Sequence, residues 1–194
     1  MGKRAYNFNA GPAALPLEVL EKAKEELIEY KGIGMSIMEI SHRSKEYEAL
    51  NDETQALFKE IMNLPPGYEV LLLQGGASAQ FAAIPMNFLS EGKVASYVLS
   101  GSWAKKAIDE AKTVGEVEIA AREEQFTKIP DLSSLRTRPN TAYLHITSNE
   151  TIEGIQYQQY PATDAPLIAD MSSDILCRPV DFSQFAMIYA GAQK

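Results

Sequence analysis

Phe185-Ala-Met-Ile-Tyr-Ala-Gly-Ala-Gln-Lys194 opens on an unbroken apolar run and closes on small residues and a lysine. The run Phe185, Ala186, Met187, Ile188 reads as a buried strand, because a half-exposed strand would alternate apolar and polar residues. Lys194 is therefore delivered at a strand's end. An earlier run, Pro166-Leu-Ile-Ala169, delivers Asp170 in the same way. An amine and a carboxylate at the tips of two buried strands suit pyridoxal phosphate. The lysine can form a Schiff base and the carboxylate can pair with the pyridinium nitrogen.

Working outward, further strand-like runs lie at Glu69–Leu73, Val94–Leu99, Val117–Ala120, Ala142–Thr147, Leu167–Ala169 and Met187–Ala190. Amphipathic helices are expected over Leu17 to Tyr30 and Ser44 to Met62. Shorter helical or loop segments are expected over Ser78–Leu89 and Ser102–Val114, with Pro85 kinking or shortening the first. Alternating strands and helices, with several strands continuously apolar, predict an α/β fold: a mainly parallel sheet flanked by helices. Ligands of such sheets sit at the carboxyl ends of the strands.

Composition narrows the function. The 194 residues are 45% hydrophobic and 23% charged, as in ordinary globular chains. The net charge of −8 is spread along the sequence, which argues against nucleic acid and anionic membranes as partners. No apolar run approaches the ~20 residues of a membrane span. The start of the chain has no signal-peptide stretch, and the one cysteine, Cys177, excludes an internal disulfide. A cytoplasmic location is expected. Two histidines and one cysteine form no metal-site pattern. His145, within an apolar strand, reads as a satisfied core histidine, and Cys177 as a small buried residue.

Five stretches carry candidate chemistry. Gln74-Gly-Gly-Ala-Ser78 follows a strand-like run and opens a helix, so Ala77 and Ser78 can hold a phosphate at a helix start; a tight turn is the other reading. Gly101-Ser-Trp103 places the only tryptophan at the next helix start, where it can stack on a ring or simply fill a core. Ser148-Asn-Glu-Thr151 can offer a hydroxyl to a phenolic oxygen or cap a turn. Asp170 can bind a ring nitrogen or cap a helix. His42-Arg43 can receive an anion, or pair on the surface with Glu39 or Glu46.

Read in order, Asn7-Phe-Asn-Ala-Gly-Pro12, Met38-Glu-Ile-Ser-His-Arg43, Gln74-Gly-Gly-Ala-Ser78, Asn149-Glu-Thr-Ile-Glu-Gly154, Ala169-Asp-Met-Ser-Ser173 and Tyr189-Ala-Gly-Ala-Gln-Lys194 resemble the phosphoserine aminotransferases. The resemblance runs from about residue 5 onward and implies the large domain of a type I pyridoxal-phosphate-dependent transferase. It implies an N-terminal segment 1–15 followed by a cofactor-binding domain over 16–194. Family members continue past the lysine into a small C-terminal domain, so this sequence resembles an incomplete large domain that would be inactive alone. The implied reaction is reversible transamination of 3-phosphohydroxypyruvate with glutamate, or of the 4-phosphohydroxythreonine pair, by a homodimer. By resemblance Lys194 is the catalytic Schiff-base lysine and Gln193 contacts the cofactor beside it. Asp170 pairs with the ring nitrogen, Trp103 stacks on the ring, Thr151 bonds the phenolic oxygen, and Ala77 and Ser78 hold the phosphate. His42 and Arg43 receive the acidic end of the substrate. Another type I pyridoxal phosphate enzyme, or a non-catalytic fragment of the large domain, are the alternatives.

Overall fold

A computed structural model describes residues 4–133 and 135–192. The chain forms two compact units that divide between Leu71 and Leu72. The first holds helix α1 (Leu17–Glu26), a 3₁₀ turn (Ile37–Glu39) and helix α2 (Lys45–Ile61). Ser44 starts α2 by accepting a 3.2 Å bond from the Tyr47 amide, with Glu46 and Glu48 in the first turn and Lys59 in the last. All three suit the helix dipole. Helix α1 stops short of the expected Tyr30. The Tyr30 amide instead bonds Met35 O at 2.9 Å, closing a loop in which Lys31, Gly32 and Gly34 take positive φ. The apolar faces expected of both helices exist, but no residue of either is buried: Leu20, Leu57 and Ile61 stand exposed.

The second unit contains α3 (Gly76–Phe88), β1 (Val94–Leu99), α4 (Ser102–Ala111), β2 (Val117–Arg122), β3 (Thr141–Thr147), β4 (Asn149–Glu150), β5 (Ile155–Gln156), β6 (Leu167–Asp170) and β7 (Met187–Tyr189). Five strands form one sheet in the order β2-β1-β3-β6-β7, and every neighbouring pair is parallel. The expected α/β architecture is therefore present. Strands β4 and β5 make a separate antiparallel hairpin. The inner strands are the continuously apolar ones, and all of β6 and all but the last residue of β1 are buried. Edge strand β2 is only half-buried.

Helix α4 is the crossover between β1 and β2. It buries Ala104, Ala107, Ile108 and Ala111, a stripe spaced three and four residues apart whose alanines permit close approach to the sheet. Ala107, Ile108 and Ala111 join Phe81, Ile84, Tyr97, Tyr143, Ile168 and Tyr189 in one core. Burying Ile84, Ile108 and Ile168 stabilises the unit by roughly 2 kcal/mol each.

Two expectations need correction. Glu69–Leu73 is not a strand: it joins neither sheet, and Leu71, Leu72 and Leu73 are exposed. Its apolar composition favours a strand, but a strand requires a neighbour to bond, and none lies beside it among the described residues. Helix α3 begins at Gly76, earlier than expected, and continues past Pro85 to Phe88, with the Leu89 amide bonding Pro85 O at 3.0 Å.

Candidate active site

Two helices begin at the carboxyl edge of the sheet, and their N-termini are finished differently. The first-turn amides of α4 are taken by carboxylates from the β4–β5 hairpin. Glu153 Oε1 accepts from the Ser102 amide at 2.9 Å and from its hydroxyl at 2.5 Å. Glu150 accepts from the amides of Trp103 (2.9 Å) and Ala104 (3.0 Å) and from Ser100 Oγ (3.1 Å). Glu150 is fully buried, and burial raises its pKa against the pull of these amides. A side chain at Gly101 would collide with it, since a Cβ there would fall 2.6 Å from Glu150 Cδ.

Among the described residues, no side chain bonds the first-turn amides of α3. Gly75, at φ +97, makes no side-chain bond to the first turn, and Gly76 is also left-handed at φ +62. A Cβ on Gly75 would meet Ala79 Cβ at 2.7 Å, so only glycine fits the entry to this helix. The N-terminus that carries Ala77 and Ser78 thus offers amides and a positive dipole end to an anion, which α4 cannot do.

The remaining candidates follow successive strands of the sheet. Trp103 follows β1, Thr151 follows β3, and Asp170 ends β6. Trp103 Nε1 donates to Thr151 Oγ1 at 3.0 Å, which fixes the plane of the indole. Lys106 Nζ lies 4.1 Å from the centre of that ring, over one face. Ser78 and Trp103 line a depression of about 220 Å³ together with Phe81, Lys106, Asp109 and Glu110. A larger cavity, about 510 Å³, opens near Phe88, Pro166 and Ala186, and none of the predicted site residues lines it.

Asp170 is buried, with Oδ1 accepting from the Ser172 amide at 2.9 Å. Its carbonyl accepts from Ser148 N (2.9 Å), and the single Ser148 hydroxyl hydrogen lies between that carbonyl (2.8 Å) and buried Asp174 Oδ1 (2.5 Å). These bonds lock the ends of β3 and β6 together. The segment after β7 is tied to the same loop: Met171 N donates to Tyr189 O at 2.8 Å and Gly191 N to Ser172 Oγ at 3.0 Å. Gln193 and Lys194 lie outside the described residues.

His145 is a core histidine as expected, 1% exposed, with Nε2 2.9 Å from the Tyr189 hydroxyl, but its Nδ1 has no partner among the described residues. Burial lowers its pKa to about 3. Cys177 corrects the sequence reading: it is exposed, on the turn after Asp174. His42 and Arg43 are exposed in the first unit, just before α2; Arg43 makes no ion pair among the described residues, and Glu39 instead closes its own turn through the Ser36 amide at 2.8 Å.

A carboxylate, a hydroxyl, an indole face and an open helix start are the donor and acceptor set that pyridoxal phosphate requires, so the residues present fit that group. Sequence reasoning missed the structural part of Glu150 and Glu153. No local signal marked them, since α3 and α4 alike carry no acidic residue in the first turn and only α4 receives carboxylates from elsewhere among the described residues. Among the described residues, no helix is long and apolar enough to cross a membrane.

The family model described as aminotransferase class-V matches residues 5–194. A phosphoserine aminotransferase of Niallia circulans is 58% identical over 197 residues, an alignment covering 100% of this chain and 54% of that relative. The solved phosphoserine aminotransferase from Bacillus circulans subsp. alkalophilus superposes with a TM-score of 0.95 at 57% identity, over 98% of this chain and 54% of that one. A pyridoxal-phosphate-bound phosphoserine aminotransferase from Trichomonas vaginalis gives 0.92 at 40% identity, over 98% and 55%. The chain spans about half the length of the curated relatives it matches.

Proposed function

Because the chain belongs to the class-V aminotransferase family, we propose that it is part of a phosphoserine aminotransferase that binds pyridoxal phosphate. Residues 16–194 belong to the cofactor-binding large domain, after an N-terminal segment 1–15. The reaction is the reversible transamination of 3-phosphohydroxypyruvate with glutamate, giving phosphoserine and 2-oxoglutarate; the 4-phosphohydroxythreonine pair, which leads to pyridoxine, is a second substrate. The protein works in the cytoplasm as a homodimer.

When bound, the cofactor supplies an electron-accepting ring that stabilises negative charge at the substrate Cα. Lys194 would hold it covalently, and its free Nζ would carry the substrate Cα proton as general base and return it as general acid. Asp170 keeps the ring nitrogen protonated, since a buried carboxylate favours a cation beside it. Trp103 presents its indole to the ring. Thr151, whose oxygen accepts from the indole, directs its hydroxyl hydrogen to the phenolic oxygen. The uncapped start of α3, at Ala77 and Ser78, holds the phosphate, and Gln193 contacts the cofactor beside Lys194. His42 and Arg43 receive the acidic end of the substrate, where a bidentate guanidinium suits a carboxylate or phosphate.

The observation that carries this reading is the succession of Trp103, Thr151 and Asp170 behind adjacent parallel strands, with the segment leading to Lys194 bonded through Gly191 to the Asp170 loop. The test is spectroscopic. The protein loaded with pyridoxal phosphate should lose its near-visible band on addition of phosphoserine or glutamate, and keep it with serine or aspartate. A protein bleached by serine and indifferent to phosphoserine has a different substrate.

A further inference from the structure

One face of the sheet carries polar groups where apolar ones would cost less to bury. The hydroxyls of Tyr97 and Tyr143 lie 3.0 Å apart, the Tyr97 ring is 4.8 Å from that of His145, and His145 Nε2 is 2.9 Å from the Tyr189 hydroxyl. Tyr189 is the register partner of Asp170 on the neighbouring parallel strand, so their side chains leave the same face of the sheet. All these residues are buried. Phe and Leu would pack such positions without the desolvation cost of hydroxyls and a ring nitrogen.

The placement of hydrogens follows from charge. The Tyr189 phenol has one hydrogen. Aimed at His145, it would turn the phenol lone pairs on the Asp170 carboxylate and force the ring proton onto Nδ1, which has no partner among the described residues. Aimed toward Asp170, its register partner on the same face of the sheet, it turns a donor toward the carboxylate charge, and Nε2–H of His145 completes the phenol oxygen. Nδ1 is then a bare lone pair. Burial first, and then the Asp170 charge and hydrogen bond, hold the phenol well above its ordinary range, so it remains a donor.

We propose that Tyr189 and His145, the latter as its Nε2–H tautomer, are positioning residues that orient the Asp170 carboxylate toward the ring nitrogen of pyridoxal phosphate. The proposal rests on the reading of Asp170 given above. It assigns a function to a buried pair that touches neither substrate nor cofactor.

The test uses the holoprotein with ¹⁵N-labelled histidine. The chain has two histidines, so the His145 signal is the one lost in His145→Gln. Two-bond proton–nitrogen correlations at neutral pH are expected to show Nε2 protonated and Nδ1 bare; the opposite tautomer overturns the proposal. Tyr189→Phe keeps the ring and loses the hydroxyl. It is expected to weaken pyridoxal phosphate binding by roughly tenfold or more, the loss of one bond to a charged group. It should also shift the ¹⁵N signal of labelled cofactor toward the unprotonated range. His145→Leu is expected to do the same, while His145→Gln, whose amide can stand where Nε2–H stood, keeps most of the affinity. Wild-type binding that Tyr189→Phe leaves unchanged overturns the positioning role alone. Failure of the wild-type protein to bind the cofactor at all overturns the reading of Asp170 itself.

Discussion

His145 pairs a buried ring with a pH consequence that can be measured. Its folded pKa of about 3 lies below the ordinary 6.5, because burial disfavours the imidazolium. An unfolded chain takes up this proton below about pH 6.5 while the folded one does not, so the folded state loses stability as pH falls from 6.5 toward 3. Urea unfolding at pH 7 and pH 5 should show the wild type losing about 1 to 2 kcal/mol more than His145→Gln, within the limit of ~1.4 kcal/mol per pH unit for one proton. Equal losses would place the histidine proton elsewhere. Asp170 offers a second test. Asp170→Asn keeps the shape and removes the charge that holds the ring nitrogen protonated. Turnover with phosphoserine is expected to fall between roughly tenfold and a thousandfold, the one to three pK units that an adjacent opposite charge contributes.

Helices α3 and α4 both start at the carboxyl edge of the sheet, but their first turns differ in chemistry. The amides of α4 are satisfied from within the chain by Glu150 and Glu153, and those of α3 take no side-chain acceptor among the described residues. Removing Glu150 should therefore act on structure first. Glu150→Ala leaves two buried amides and a hydroxyl without their acceptor, a cost of about 3 kcal/mol or more. Trp103 is the sole tryptophan and one of those amides belongs to it, so its emission should shift to longer wavelength in the same variant. Unchanged stability and emission would mean that the carboxylate does not anchor the helix. Gly75→Ala should act on the ligand instead. With φ at +97 and a 2.7 Å contact to Ala79 Cβ, any side chain displaces the first turn of α3. Pyridoxal phosphate titrations should show weaker binding by roughly tenfold, with the visible band restored only at higher cofactor concentration.

Much of the sheet was legible in the sequence, because Val94–Leu99, Thr141–Thr147 and Leu167–Asp170 are apolar without alternation and this pattern belongs to strands covered on both faces. The same rule misread Glu69–Leu73: apolar composition reports a preference for burial, whereas a strand also needs a partner, and that information is not local. The placement of Trp103, Thr151 and Asp170 behind strand ends was legible because each follows an apolar run. Glu150, Asp174 and the His145–Tyr189 pair were not, since their importance lies in contacts between residues 26 to 47 positions apart. In the proposed function the ends of β1, β3, β6 and β7 serve one cofactor held by one lysine. Borohydride reduction of the protein loaded with pyridoxal phosphate, followed by peptide mass mapping, tests this most directly. The phosphopyridoxyl group is expected on Lys194 and on no other lysine; its attachment at a different lysine, or no attachment at all, would contradict the site.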